Sequence, residues 1–580
     1  MPDYDLVIRG GTIADGTGAP LRPGDVAVKG GLVTAVGEVD GTGVAEIDAS
    51  GALVAPGWVD IHTHYDGQAI WDPQLAPSSW HGVTTAVMGN CGVGFAPVHP
   101  GDQDRLVQLM EGVEDLPGTA LHEGLAWDWG SFPEYLDALE RRPHDIDVAA
   151  QVPHAAVRVH VMGERGANRE PATDDDIAAM AGLTAEAVGA GALGFSTSRT
   201  LNHRTSTGDF TPTLTASAAE LAGIAAALGR LGRGVIQLLS DFTDLDAEWA
   251  TVAGMVKASG RPLSFTVAGV PERPDDWRRW LERISEARAA GLPITGQVAP
   301  RAIGLVLGLA CTLHPFMFNP VWTSLSHLPV ATQAVALRQP ETRRRLLDSH
   351  HIRADRSNPL GGGLVARYEK MYFFADPPDY EPDPAGALAL VAGREGRRPE
   401  EVALDWLCTD DGRGMIYMPF FNYTEADGLG PCREMLAHPH TVPGLSDGGA
   451  HAGTICDGSF PTFLLSHWGL RRDHGRFPIE WIVERQTRAT AGVVGMGDRG
   501  VLAPGYRADV NVIDLDRLAI PRPEIRYDLP AGGRRLLQRA VGYRHTFVAG
   551  VETYRDGEAT GATPGTLVRG PQPAPSFSTT

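Results

Sequence analysis

Apolar and polar positions along the chain fall into two textures. Residues 4–49 alternate short strand-like runs with glycine turns (YDLVIRGGTIADGTG, GDVAVKGGLVTAVG, AEIDASG), and this texture returns only near the far end, in RGVLAPGYRADVNVIDL and residues 540–556. Two ends of one texture around a different middle predict a small β-sandwich assembled from both chain ends. The middle alternates helix and strand. After Pro274 and Asp275, the residues Trp277, Trp280, Leu281 and Ile284 recur at i, i+3, i+4 and i+7, and the run closes near Gly291 before the strand LPITGQV. Helices are predicted in the same way from Thr173 to Gly191, from Ser217 to Gly232 and from Ala247 to Gly260, each ahead of an apolar strand. Strands at 53–61, 83–88, 147–152, 192–198, 234–239, 262–267, 292–298 and 442–447 make eight. Eight strands in βα repeats favour a closed (β/α)8, TIM-like barrel of α/β class, with its active site at the C-terminal strand ends. A doubly wound open sheet is the alternative, but no Gly-rich phosphate fingerprint follows the first strand.

Between the seventh and eighth strands lie residues 299–441, too many for a simple connection. They are expected to form an inserted subdomain that contributes part of a substrate lid. The expected division is therefore 1–52 for the N-terminal part of the sandwich, 53–498 for the barrel with insertion 299–441, and 499–560 for the C-terminal part of the sandwich. The tail 561–580, rich in Pro, Gly, Ser and Thr, is expected to be disordered.

Three predicted strand ends carry chemistry. The run LVAPGWVDIHTHYDG ends in His62 and His64, and side chains two apart on a strand point the same way, so both rings can converge on one point, most naturally a metal ion. The strand VTTAVMGN runs into Cys91 in a Gly-rich turn, and VPGLSDGGAH ends in Asp447 with His451 four residues on.

Composition narrows the function. A formal net charge of -21 argues against a nucleic-acid partner. The compact run Arg343, Arg344 and Arg345 reads as a solvated helix face. No apolar stretch reaches about 18 residues and the first residues have no signal-peptide pattern, so no membrane partner is expected and the cytoplasm is the expected compartment. The five cysteines (91, 311, 408, 432, 456) are scattered, unlike a disulfide framework.

The N-terminal β-module, APGWVDIHTHYDG, the GNCGVG turn, LMEGVEDLPGTALHEGLAWDW (109–129), SDGGAH and PGYRADV together resemble the amidohydrolase superfamily, specifically its N-acyl-D-amino-acid deacylase (D-aminoacylase) family. The motifs stand in the family's order over nearly the whole chain. The resemblance implies a (β/α)8 barrel with a small β-sandwich, bound zinc, and hydrolysis of the amide of a small N-acylated D-amino acid. It implies His62, His64 and Cys91 as metal ligands and Asp447 as the group that handles the proton of the attacking water, and the chemistry of this donor set makes Asp447 the looser, fourth ligand. The family also uses a histidine after strand five and another after strand six, whereas the interval from Arg204 to Ala310 contains no His or Cys. Gln237 and Asp241 are the candidate replacements, Asp241 reading better as a helix-start carboxylate. Two imidazoles, a thiolate and a carboxylate suit one ion, so one Zn2+ per chain is expected.

Substrate-binding candidates come from the neighbouring strand ends: His154 and Arg158 after strand three, Arg199, His203 and Arg204 after strand four, and His451. Arg199 is the expected reader of the substrate carboxylate, since a guanidinium offers forked donors. Two other readings stay open. A cyclic-amide hydrolase of the hydantoinase type shares the barrel and the His-x-His, but strand four, GALGFSTSR, has no lysine to bridge metals. A non-catalytic binding protein of this fold is the other. The sequence leaves oligomeric state open and is compatible with a homo-oligomer.

Overall fold

The computed structural model describes residues 2–350 and 364–576. Parts of the expected insertion and of the expected tail, residues 351–363 and 577–580, lie outside the described residues.

The middle of the chain forms an all-parallel sheet of eight strands in sequential order: Trp58–Asp60, Val83–Met88, Asp147–Pro153, Gly194–Arg199, Val235–Ser240, Leu263–Val267, Ile294–Val298 and Thr441–Pro443. The sheet is curled, as the expected TIM-like barrel requires. Backbone bonds from Asp447 N to His62 O (3.1 Å) and from His64 N to Gly448 O (2.8 Å) join the end of the last strand to the end of the first. The eighth strand is shorter than 442–447 because the chain enters left-handed conformations at Leu445 (φ 62°) and Asp447 (φ 47°), which extended pairing does not accommodate.

The predicted helices follow from their punctuation. Asp174–Ala190 starts at Thr173, which forms a reciprocal cap with Asp176, and stops at Gly191 with φ 119°. Ala218–Leu231 and Leu245–Ser259 start at Ser217 and Asp244, whose side chains accept backbone N–H groups. Asp276–Ala289 buries Trp277, Trp280, Leu281 and Ile284, the i, i+3, i+4, i+7 stripe.

Strands from both chain ends share one nine-stranded sheet, in which Leu53–Pro56 lies between Tyr4–Ile13 and Val510–Ile513. The run 53–61, expected as one strand, is therefore two. Its first half belongs to this end sheet and its second to the parallel sheet. The break falls at Gly57, where a Cβ would stand 2.2 Å from the Thr84 side chain.

Residues after strand seven build a separate three-stranded sheet (Ile303–Gly308, Tyr372–Phe374, Met415–Phe421) over its own core, which includes Leu307, Phe316, Leu388, Leu404 and Ile416. The expectation of a disordered tail is corrected for residues 561–576. Gly565 N and Val568 N bond to the carbonyls of His144 and Val148, and Gln572 N to that of Gly495, so the backbone donors of this polar segment are satisfied by the body of the protein.

Candidate metal centre

His62 and His64 follow Trp58–Asp60 in extended backbone, and both rings are 1% exposed. Cys91 lies in a tight turn after Val83–Met88 with φ 54°, a conformation that costs an L-residue energy and places its thiol against the first strand. Its Sγ is 3.3 Å from His62 Nε2. Asp447 arrives from the other side, with Oδ1 3.4 Å from His62 Nε2 and 3.7 Å from His64 Nε2. Donors around a tetrahedral zinc, bonded at about 2.0 Å to N or O and 2.3 Å to S, stand about 3.3–3.7 Å from one another. The three distances match that spacing, so the residues present fit the ion. One ligand atom each from His62, His64 and Cys91 falls within 4.8 Å of the others, and among the described residues no further His, Cys, Asp or Glu joins that set. Asp447 is thus close to the histidines but set apart from Cys91.

The electrostatics agree with a site prepared for a cation. Burial pushes the Cys91 thiol well up, and the negative fields of Glu114 and Asp447 add to it, so only a cation would draw out the thiolate. Burial lowers His62 to about 4, which leaves its imidazole neutral, the form that ligates. Burial alone would raise Asp447, but the close imidazoles of His451 and His64 and the histidine fields outweigh it and hold the carboxylate well below its usual range.

Ring orientation is set from outside. His62 Nδ1 meets Gln297 Oε1 at 2.8 Å, which turns Nε2 toward the site, and Gln297 Nε2 in turn donates to Ser264 Oγ at 2.9 Å. Glu114 was not foreseen. It ends the helix Gln103–Glu114, is 1% exposed, and places one oxygen 3.4 Å from His64 Nδ1 and the other 3.7 Å from His451 Nε2. His64 Nδ1 is within ion-pair range of that carboxylate without hydrogen-bond alignment. His451 Nε2 is also 3.6 Å from Asp447 Oδ2, which puts His451 between the two carboxylates. The one signal for Glu114 in the sequence was its place in the motif at 109–129.

The other expected binding residues divide. His203 bonds through Nδ1 to Ser198 Oγ at 3.2 Å and lies within the fields of His451, His64, Asp447 and His62, so it borders the centre. Arg199 is corrected. Its Nε is 3.2 Å from both Glu248 oxygens, its Nη2 donates to Glu248 at 2.7 Å and its Nη1 donates to the Ala216 carbonyl, which uses the forked donors that were to read a carboxylate. His154 and Arg158 are also corrected: both are fully buried on Glu220 (3.0 and 2.8 Å), and Arg158 further donates to the carbonyls of Gly166, Pro212 and Glu170. They form a structural ion-pair cluster. Arg204 lies over the Phe210 ring at 3.8 Å and donates to the Gly208 carbonyl. Asp241 is no ligand, since its oxygens accept from Thr200 Oγ1 (2.5 Å) and Leu201 N (2.8 Å).

Comparison with known proteins identifies the family of the chain. The amidohydrolase family model matches residues 45–353 and 406–554. The chain is 27% identical to a D-aminoacylase of Alcaligenes xylosoxydans xylosoxydans over 96% of each chain. It is 32% identical to an N-acyl-D-glutamate deacylase of the same organism over 88% of each. Among solved structures, a D-aminoacylase studied for its binuclear metal centre superposes with a TM-score of 0.64 at 24% identity, covering 98% of this chain and 100% of the other. The N-acyl-D-glutamate deacylase of Bordetella bronchiseptica, bound to zinc and a phosphonate inhibitor, superposes with a TM-score of 0.63 at 24% identity, covering 98% and 99%. The family match and the deacylase relatives make the chain a metal-dependent amidohydrolase that acts on linear amides. Within that class the chain belongs to the D-aminoacylase family of the amidohydrolase superfamily.

Proposed function

We propose that the protein hydrolyses the amide of an N-acyl amino acid, N-acyl-D-amino acids foremost, with one zinc held by His62, His64 and Cys91 and approached by Asp447. The observation that carries this is that His62 Nε2 lies 3.3 Å from Cys91 Sγ and 3.4 Å from Asp447 Oδ1, which is itself 3.7 Å from His64 Nε2, at the joined ends of the first, second and eighth strands. Held by His62, His64 and Cys91, a zinc ion would lower the pKa of the attacking water and polarise the scissile carbonyl. Asp447 takes the proton of the attacking water and returns it to the leaving nitrogen as the C–N bond breaks. Glu114 holds His64 and His451 in place, and His451 and His203 border the substrate. The relatives named above as deacylases of N-acyl-D-amino acids support the substrate class.

We further read the two chain ends as one β-module and residues 299–441 as an insertion that acts as a lid. In support, Val306 N bonds to the Thr454 carbonyl (2.7 Å) and Thr312 Oγ1 to Asp115 (3.2 Å), so the insertion clasps the loop that carries His451 and the residue after Glu114. The test is a screen of zinc-loaded protein against paired N-acyl-D- and N-acyl-L-amino acids. Turnover of D-substrates with little on L-substrates is expected, and no turnover of either would overturn the reading.

A further inference from the structure

Gln237 and Thr266, on neighbouring strands, each carry a buried polar atom with no hydrogen-bond partner among the described residues. Gln237 is 1% exposed and stands in register with Ser196 and Ser264 on the strands either side. Its Oε1 accepts from Cys91 N at 2.9 Å. A backbone N–H can only donate, so the oxygen faces Cys91 and the NH2 group points elsewhere, which settles the amide's orientation. That Nε2 is buried without a hydrogen-bond partner. One strand over, Ser264 bonds to Gln297, which orients His62, so this face of Leu263–Val267 looks toward the metal ligands. Thr266, two residues on and on the same face, also has a buried hydroxyl without a partner.

A buried polar group left unpaired costs about 1–3 kcal/mol, so two on adjacent strands, Gln237 against the Cys91 backbone and Thr266 in register with Gln297, call for a partner beyond the described residues. Strands five and six are where the resemblance expected histidines for a second ion, and Gln237 and Thr266 are neutral donors instead. Neutral, preorganised N–H and O–H groups suit an oxygen that gains negative charge during reaction.

We propose that Gln237 is a catalytic residue of the amide hydrolysis described above, donating from Nε2 to the carbonyl oxygen of the scissile amide, with Thr266 Oγ1 as a second donor. The inference rests on the deacylase reading. Water's oxygen bonds to the carbonyl carbon while the carbonyl electron pair moves onto the oxygen that Gln237 holds. When the pair returns, the C–N bond breaks and the nitrogen takes the proton that Asp447 removed from water. Gln237 and Thr266 give up no proton.

The test compares wild type with Q237E, which keeps an oxygen for Cys91 N–H but loses the donor, with Q237M, and with T266V. Zinc per chain, kcat, KM and inhibition by a phosphonate analogue of the best N-acyl substrate are measured. Expected for Q237E and Q237M is a fall in kcat of about 10²–10³, the scale for one oxyanion donor, with KM within about threefold by the same account of transition-state-only interactions. Phosphonate affinity falls by a similar factor and zinc is retained. T266V shows a smaller loss of the same kind. Near-wild-type kcat in Q237M, or a loss that tracks missing zinc, overturns the inference and leaves the deacylase reading intact. Wild-type protein that turns over no N-acyl amino acid overturns both.

Discussion

Leu445, Asp447 and His451 all hold left-handed backbone within one seven-residue turn, with φ of 62°, 47° and 51°. Each such non-glycine residue costs about 1 kcal/mol or more, and here the cost is associated with aiming one carboxylate at two imidazoles. Asp447→Asn keeps the backbone bonds of the turn and one side-chain oxygen, but removes the base. The expected result is retained fold and most bound zinc, with turnover lower by at least about a hundredfold, measured by steady-state kinetics beside elemental analysis. Arg199 gives the opposite case. Its pairing with Glu248 makes it a stabilising residue, so Arg199→Met is expected to lower unfolding free energy by about 1.5–3 kcal/mol, the range for hydrogen bonds to charged groups. The variant should change KM for an N-acyl amino acid and for its amide alike. A selective rise in KM for the acid would restore Arg199 as a carboxylate reader.

At the scale of elements, the segment between strands seven and eight is tied to the chain that follows strand eight through Glu381. Its carboxylate accepts from Arg472 Nε and Nη2 (both 2.9 Å), from Leu429 N (2.9 Å) and from His467 Nε2 (2.8 Å). Burial would raise this carboxylate, but the His467 and Arg472 bonds outweigh it and lower it strongly. A depressed carboxylate contributes stability that is complete above its unfolded pKa of about 4.3 and is lost as pH falls through the lower folded value. The docking of that segment is therefore expected to weaken below about pH 4, seen as acid-dependent protease sensitivity in residues 299–441. In Glu381→Gln the same weakening should be present at neutral pH. Unchanged acid sensitivity in that variant would remove Glu381 from the clasp. The helices were legible from caps and stripes because those signals are local. The division of 53–61 between two sheets was not, because both halves are equally apolar and only the approach of Thr84 to Gly57 marks the break.

For the whole molecule the decisive quantity is the number of ions. His62, His64 and Cys91 come together with Asp447 beside the two histidines, and the groups on strands five and six, Gln237 and Thr266, are neutral. One tightly held zinc per chain is expected, lost together with activity in the His62→Ala/His64→Ala double variant. Chelation should lower the melting temperature of wild type but not of that variant, since an ion that binds only the folded chain stabilises it by mass action. Two tightly retained ions per chain would show that further groups ligate. Among the described residues no helix is long and apolar enough to cross a membrane.

Read alone, the chain determined the eight parallel strands and the kinship of its two ends, which share one sheet, and it put forward His62, His64, Cys91 and Asp447 as metal donors. Those signals are carried by periodicity, by i, i+2 spacing on a strand and by motifs whose residues lie close together. Only the tertiary structure decided what the charged residues between the strands do. A guanidinium after a strand end reads the same in sequence whether a substrate or Glu248 faces it, and the partners of Arg199, Arg158 and His154 lie 49, 62 and 66 residues away. Glu114 stayed hidden for the same reason. It ends a helix among other acids, and curling the sheet is what brings that helix end against His64 and His451. The ordered tail was missed because its composition predicts no core of its own, while its backbone bonds are made to a surface that exists only after the rest has folded.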